Sequence, residues 1–172
     1  MQRSAIPLSA GCALRDAEPR DLPTVVRLVR ALARYEKLEH LARGTEELFG
    51  RALFGTPPRA FALIAEGPGG EAAGFALWFY SFRTFQALPC LYVEDVYVEP
   101  EHRGFGLGRL IFADLARRAL AEGCDRMEWS VLDWNAPSIA FYDRIGSRPR
   151  EGWTLRVLTQ PALGALAGAA AA

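Results

Sequence analysis

Leu91-Tyr92-Val93-Glu94-Asp95-Val96-Tyr97-Val98, the turn Pro100-Glu101-His102, and Arg103-Gly104-Phe105-Gly106-Leu107-Gly108 form the stretch that decides the fold. Five of its first eight residues, Tyr92, Val93, Val96, Tyr97 and Val98, are β-branched or aromatic, and they predict a strand. Leu107, Leu110, Ile111, Leu115 and Ala119 recur at helical spacing and predict a helix that ends near Gly123. The glycines therefore join a strand to a helix. Glycine lets the backbone turn tightly and brings its N–H groups close to a ligand. The helix start adds unpaired donors and partial positive charge. Together these suit a phosphate or pyrophosphate, to which Arg103 and Arg109 can add charge-assisted hydrogen bonds. Taken alone, the loop also suits a glycine-rich turn that holds nothing.

Two common phosphate loops are excluded. A P-loop needs Gly-Lys-Ser/Thr, and here Gly108 is followed by Arg109 and Leu110. A dinucleotide fingerprint counted from Gly104 and Gly106 needs a third glycine where Arg109 stands, and it normally follows the first strand.

Working outward, the pattern predicts a strand over 12–17 and a helix begun by Asp21, with Pro23 in its first turn and its end near Tyr35-Glu36-Lys37. Leu22, Val25, Val26, Val29, Leu32 and Ala33 form its buried stripe. A second helix starts at Thr45 with Glu46 and Glu47, and Gly55-Thr56-Pro57-Pro58 ends it. Strands follow over 61–66 and 72–82. Beyond the glycine loop, Met127, Trp129 and Val131 alternate with polar residues as a strand. Asn135 caps a short helix with Pro137 in its first turn, and 153–158 reads as a last strand. The order is β-α-α-β-β-β-α-β-α-β: a mixed α/β domain over 12–160, with a loose leader at 1–11 and an Ala/Gly-rich tail at 161–172.

The chain has 172 residues, enough for one domain with a hydrophobic core. Twenty basic and twenty acidic residues cancel, so no global field draws it to nucleic acid or an anionic membrane. Cys12, Cys90 and Cys124 are widely spaced, with no Cys/His cluster that would suggest a metal site. They read as thiols of a reducing cytoplasm. His40 and His102 read as surface or loop residues. No segment reaches the ~18 apolar residues of a membrane span, and the first residues lack the pattern of a signal peptide.

Arg103-x-x-Gly106-x-Gly108 after a Val-rich strand, followed by Asn135-x-x-Ser138-x-x-Phe141-Tyr142, resembles the GCN5-related N-acetyltransferase superfamily. Leu91-Tyr92-Val93-Glu94-Asp95, Trp134 through Tyr142, Glu151-Gly152-Trp153 and Ala33-Arg34-Tyr35-Glu36 look like its spermidine/spermine (diamine) N-acetyltransferase branch. The resemblance implies a central, mostly antiparallel twisted sheet flanked by helices. It also implies acetyl transfer from acetyl-CoA to a primary amine of a small polyamine, diamine or lysine-like (thialysine) acceptor, by direct attack in a ternary complex. Alternatives within the same fold are a protein lysine, an N-terminus or an antibiotic as acceptor, or a non-catalytic acyl-CoA-binding regulator.

Residue roles carry over position by position. Glu94 is expected near the amine, as a base or as an ammonium ligand. Tyr142 is expected as the general acid toward the departing sulfur. The backbone of Val96, Tyr97 and Val98 is expected beside the pantetheine arm. Arg103, Gly104, Phe105, Gly106, Leu107, Gly108 and Arg109 are expected at the pyrophosphate. Asn135, Ala136, Pro137 and Ser138 are expected to meet the cosubstrate from the start of their helix. The amine site is expected to draw on Tyr35, Glu36, Glu94 and Asp95, together with Glu128, Trp129, Ser130 and Glu151. Arg148 and Arg150 place positive charge near Glu151, which disfavours a highly cationic acceptor. No metal is expected. Members of this family are homodimers, and Trp153, Leu155 and Val157 would suit an interface or a monomer core equally.

Overall fold

The computed structural model describes residues 11–169 and divides the chain into two compact units, Met1–Val131 and Leu132–Ala172. The expected leader lies almost wholly outside the described residues, as do the last three residues of the tail.

The first unit is built on a five-stranded sheet in the order β1-β2-β3-β4-β5. These strands are β1 (Ala13–Asp16), β2 (Phe61–Glu66), β3 (Ala72–Arg83), β4 (Leu88–Val98) and β5 (Met127–Glu128). The first four pair antiparallel, and β5 pairs parallel to β4. Helices α1 (Leu22–Glu36) and α2 (Glu46–Phe54) follow β1, and α3 (Leu107–Ala121) follows β4.

Each face of the sheet carries its own core. On one face, Leu63, Trp78, Leu91 and Val93 pack with Leu107, Ile111 and Leu115 of α3. On the other, Ile64, Phe75, Leu77 and Tyr97 pack with Val25, Leu28 and Leu32 of α1. Covering both faces explains why β2 and β3 read as nearly continuous apolar runs rather than strict alternation.

Asp21 does precede α1, but its side chain makes no cap bond to the helix. Its carboxylate instead accepts from Arg15 and from the Glu18 backbone N–H, 2.8 Å away. Glu18 and Asp21 form a reciprocal capping box one turn earlier, around a short 3-10 turn at Pro19–Asp21. Thr45 caps α2 as expected, its Oγ1 accepting from the Leu48 N–H.

The strand expected through Val131 stops at Glu128. Trp129 leaves the ladder to pack edge-on against Phe112 of α3, with ring centroids 5.1 Å apart.

In the second unit, α4 (Ala136–Arg144) begins at Asn135, whose Oδ1 accepts from the Ser138 N–H. Pro137 sits in its first turn. The last strand expected over 153–158 is not formed. Alternation fixes which side chains share a face but supplies no ladder partner, and among the described residues this unit holds no other strand. Trp153, Leu155 and Val157 are exposed there. Ala162–Ala169, expected as tail, forms α5.

Candidate active site

The site is assembled at the end of β4. Along β3 and β4 the register runs Trp78↔Val93 and then Leu77↔Asp95, so Glu94 is an extra residue, a β-bulge. The bulge changes which face each later side chain takes. Leu91 and Val93 pack on the α3 face, and beyond the bulge Val96 and Val98 pack there too. Tyr97 is thereby turned to the α1 face. Asp95, two residues before Tyr97, takes the same α1 side.

That side carries the last turn of α1, with Tyr35 and Glu36. Asp95 is half-buried. Burial, with Glu94 and then Glu36 close enough to repel it, pushes its carboxyl up to about 6. Burial also raises Glu36. No hydrogen bond or ion pair to Glu36, Glu94 or Asp95 occurs among the described residues. Three carboxylates thus gather at the bulge with no internal cation, an arrangement that favours a cation from outside.

Among the described residues, the second edge of β4 has no strand beside it beyond Tyr92: β5 pairs only with Leu91 and Tyr92. Backbone groups of residues 93–98 on that edge have no ladder partner and can receive an extended ligand. The side chain of Tyr97 is not available to such a ligand. It is buried, and its hydroxyl donates to Glu99 Oε2 at 3.1 Å.

The glycine loop follows a 3-10 turn at Pro100–His102. Gly104 and Gly106 have φ of +83° and +85°, the left-handed region that glycine tolerates at least cost. A Cβ at either position would meet no protein atom within 4 Å. Packing therefore does not require these glycines; the turn does, and the open space over it does. Gly106 caps α3 with no side-chain hydrogen bond, and no acidic residue lies in the first turn. The first N–H groups of α3 are left for an anion, which fits the diphosphate of a CoA. Phe105 and Arg109 are exposed beside them, and Leu107 is buried as the helix anchor.

Arg103 differs from the expectation of a simple phosphate ligand. Its Nε donates to the Val98 carbonyl at 2.8 Å. Its guanidinium lies 4.8 Å from the Tyr35 ring centroid and 5.4 Å from that of Tyr97. Nothing in the sequence pattern announced this contact, because the three residues come from separate elements.

The remaining expected amine-site residues of the first unit have partners already. Glu128 is ion-paired with Arg126, and Ser130 Oγ lies 2.9 Å from the Tyr92 hydroxyl. In the second unit, Tyr142 lies half-buried on α4 with its ring edge-on to Phe141 at 5.5 Å. Asn135 is buried at the helix start, Ala136 and Pro137 are exposed and Ser138 is half-buried. Glu151 is exposed, next to Arg150, whose guanidinium stacks on Trp153 at 3.8 Å. His40 is exposed, whereas His102 is half-buried against Glu71, its Nε2 3.5 Å from that carboxylate. Among the described residues no helix is long and apolar enough to cross a membrane.

A mixed sheet with helices on both faces, a strand edge open beyond Tyr92 among the described residues and a glycine loop at a helix start define an α/β fold with a candidate anion site at the start of α3. The family model "Acetyltransferase (GNAT) family" matches residues 25–146. The chain belongs to the GNAT family, whose acetyltransferases use acetyl-CoA, and it is an N-acetyltransferase. It is 35% identical to the thialysine N-epsilon-acetyltransferase of Bos taurus over 150 residues, which span 81% of this chain and 88% of that protein. It is 28% identical to an L-ornithine N5-acetyltransferase of Arabidopsis thaliana, over 89% of this chain and 86% of that one. A V. cholerae integron cassette protein shares the fold, with a TM-score of 0.77 at 21% identity, covering 91% of this chain and 98% of the other.

Proposed function

We propose that the protein transfers an acetyl group from acetyl-CoA to a primary amine of a small polyamine, diamine or lysine-like acceptor, by direct attack in a ternary complex. The observation that carries the acceptor side is the bulge at Glu94. It places Asp95 on the α1 side with Glu36 and leaves its carboxyl, repelled by Glu94 and Glu36, without a cation among the described residues. An ammonium group supplies the missing charge. A lysine-like acceptor is favoured, since the similar thialysine and ornithine enzymes both carry names of amino acids with a side-chain amine.

The chemistry has three needs. The amine must lose a proton, because a free alkylammonium titrates near pH ~10.4. Glu94, exposed at the bulge, is our candidate base or ammonium ligand. The thioester oxygen needs donors as charge develops on it, and the backbone N–H groups of residues 96–98 are our candidates. The departing thiolate needs a proton, and Tyr142 is our candidate acid. The loop from Gly104 to Arg109, with residues 135–138, would hold the CoA, with Arg103 at the start of that loop. Tyr35, Glu36 and Asp95 would hold the acceptor, with Trp129, Ser130, Glu128 and Glu151 further along it.

A homodimer is part of this reading. Trp153, Leu155 and Val157 are 67%, 82% and 73% exposed at alternate positions, which suits packing against a second copy. The free thiols Cys12, Cys90 and Cys124 suit a cytoplasmic setting.

The test is release of CoA thiol from acetyl-CoA against thialysine, lysine, ornithine, spermidine, putrescine and a lysine peptide. Turnover on the small amines, with thialysine or ornithine ahead, is expected. Turnover on the peptide alone would overturn the small-amine reading, and absence of turnover on every amine would overturn acetyl transfer to this class.

A further inference from the structure

We propose that Arg103 is a positioning residue that links the glycine loop to the amine site, rather than a ligand of the pyrophosphate. This rests on the reading of the two sites given above. Arg103 is the first residue of the loop, yet its side chain turns back along β4. Its Nε is bonded to the Val98 carbonyl at 2.8 Å. Its guanidinium faces two aromatic rings, Tyr35 at 4.8 Å and Tyr97 at 5.4 Å. Both distances lie within the ~6 Å over which a cation is drawn to an aromatic face.

The rings are themselves held. Tyr97 is buried and its hydroxyl is bonded to Glu99. Glu99 accepts in turn from Arg27 of α1 at 2.5 Å. Tyr35 packs against the same core in the last turn of α1. The guanidinium thus joins the loop, the end of β4 and the end of α1. Glu36, the neighbour of Tyr35, is one of the two carboxylates that act on Asp95. Movement of Arg103 would therefore move the acceptor's carboxylates as well as the loop.

A planar, stacking guanidinium fills this role and an ammonium does not, because Lys lacks the face and the fork. A phosphate ligand would behave in the opposite way, since a point charge in Lys keeps most of its value there.

The experiment measures steady-state kinetics of Arg103→Gln, Arg103→Lys, Tyr35→Leu and the Arg103→Gln/Tyr35→Leu double variant, varying the amine at saturating acetyl-CoA and then acetyl-CoA at saturating amine. We expect each single variant to raise the amine KM about two- to fivefold, the size of a cation–π contact at an exposed site. Arg103→Lys should be no better than Arg103→Gln, and the double variant should be little worse than either single one. The inference is overturned if Arg103→Gln raises only the acetyl-CoA KM. It is overturned equally if Lys restores wild-type behaviour, or if the two single effects multiply. Calorimetry of acetyl-CoA on Gly106→Asp tests the loop reading separately: unchanged binding there removes the pyrophosphate assignment, whatever the Arg103 variants do.

Discussion

Replacing Asp95 with Asn is expected to make the protein more stable at neutral pH and a poorer enzyme. The folded state holds the Asp95 carboxyl at about 6 against an ordinary 3.8. Its folded pKa is raised, so the native state binds the proton more tightly than the unfolded chain does. Stability is then full below about pH 4 and falls as pH rises toward about 6 and beyond. A rise of about two pKa units corresponds to about 3 kcal/mol of cost once the group is charged. Water at the partly open site trims this to about 2 kcal/mol. Asn has the shape of the protonated acid and carries no charge at any pH, so the variant escapes this cost. Urea unfolding of both proteins from pH 4 to 8 should show no difference at pH 4 and an advantage for Asn of about 2 kcal/mol at pH 7. In melting temperature that is about 4–8 °C for a chain of this size. Glu36 is raised for the same reason, so Glu36→Gln should add in the same direction. If Asp95 holds the acceptor as proposed, the amine KM should rise in Asp95→Asn, because that charge is gone. A variant less stable than wild type at pH 7, or a difference that does not vary with pH, would refute the account of Asp95 as an uncompensated charge.

Tyr142→Phe is expected to lower turnover by about 10²-fold while acetyl-CoA still binds, the effect of losing a general acid; single-turnover kinetics beside calorimetry separates the two. Gly106→Asp is expected to fold, since a Cβ there meets nothing within 4 Å and Asp tolerates positive φ better than most residues. It should abolish acetyl-CoA binding in calorimetry by placing negative charge where the proposed diphosphate site lies. Leu115→Ala removes a fully buried side chain from the α3 face of the sheet. It should cost about 2–5 kcal/mol in chemical denaturation, with the acetyl-CoA KM of the surviving native protein little changed.

Local patterns in the sequence were enough for much of this fold. The 61–66 strand, the Thr45 cap, the Asn135 cap and the glycine loop at the start of α3 all depend on residues close in sequence, and each stands where expected. What failed depended on distant partners. Trp153, Leu155 and Val157 alternate like a strand, but a strand needs an edge to join, and no short-range pattern supplies one. Trp129 alternates with its neighbours as well, yet the ring of Phe112 takes it out of the ladder. Asp21 precedes its helix like a cap, but Arg15 claims its carboxylate with bonds of 2.6 and 2.8 Å. Charge-assisted bonds of that kind outweigh a neutral backbone donor.

The proposed amine site could be listed from the sequence only as candidate residues; the geometry that brings Glu36, Glu94 and Asp95 together could not be read from it. Strict period two along 91–98 would put Asp95 and Tyr97 on the side of Leu91 and Val93, against α3. Both would then be remote from Tyr35 and Glu36 on α1. One extra residue at Glu94 reverses this, because a slip of one flips every later side chain to the other face. The same insertion exposes Glu94 and turns Asp95 toward a neighbour of its own sign. It also falls where β5 stops accompanying β4, so that among the described residues the strand edge beyond Tyr92 has no partner strand. A regular ladder would be more stable at every one of these positions, since it would pair the backbone and separate the carboxylates. The bulge therefore costs the fold stability in two ways at one place, which is expected where strand irregularity serves binding rather than packing.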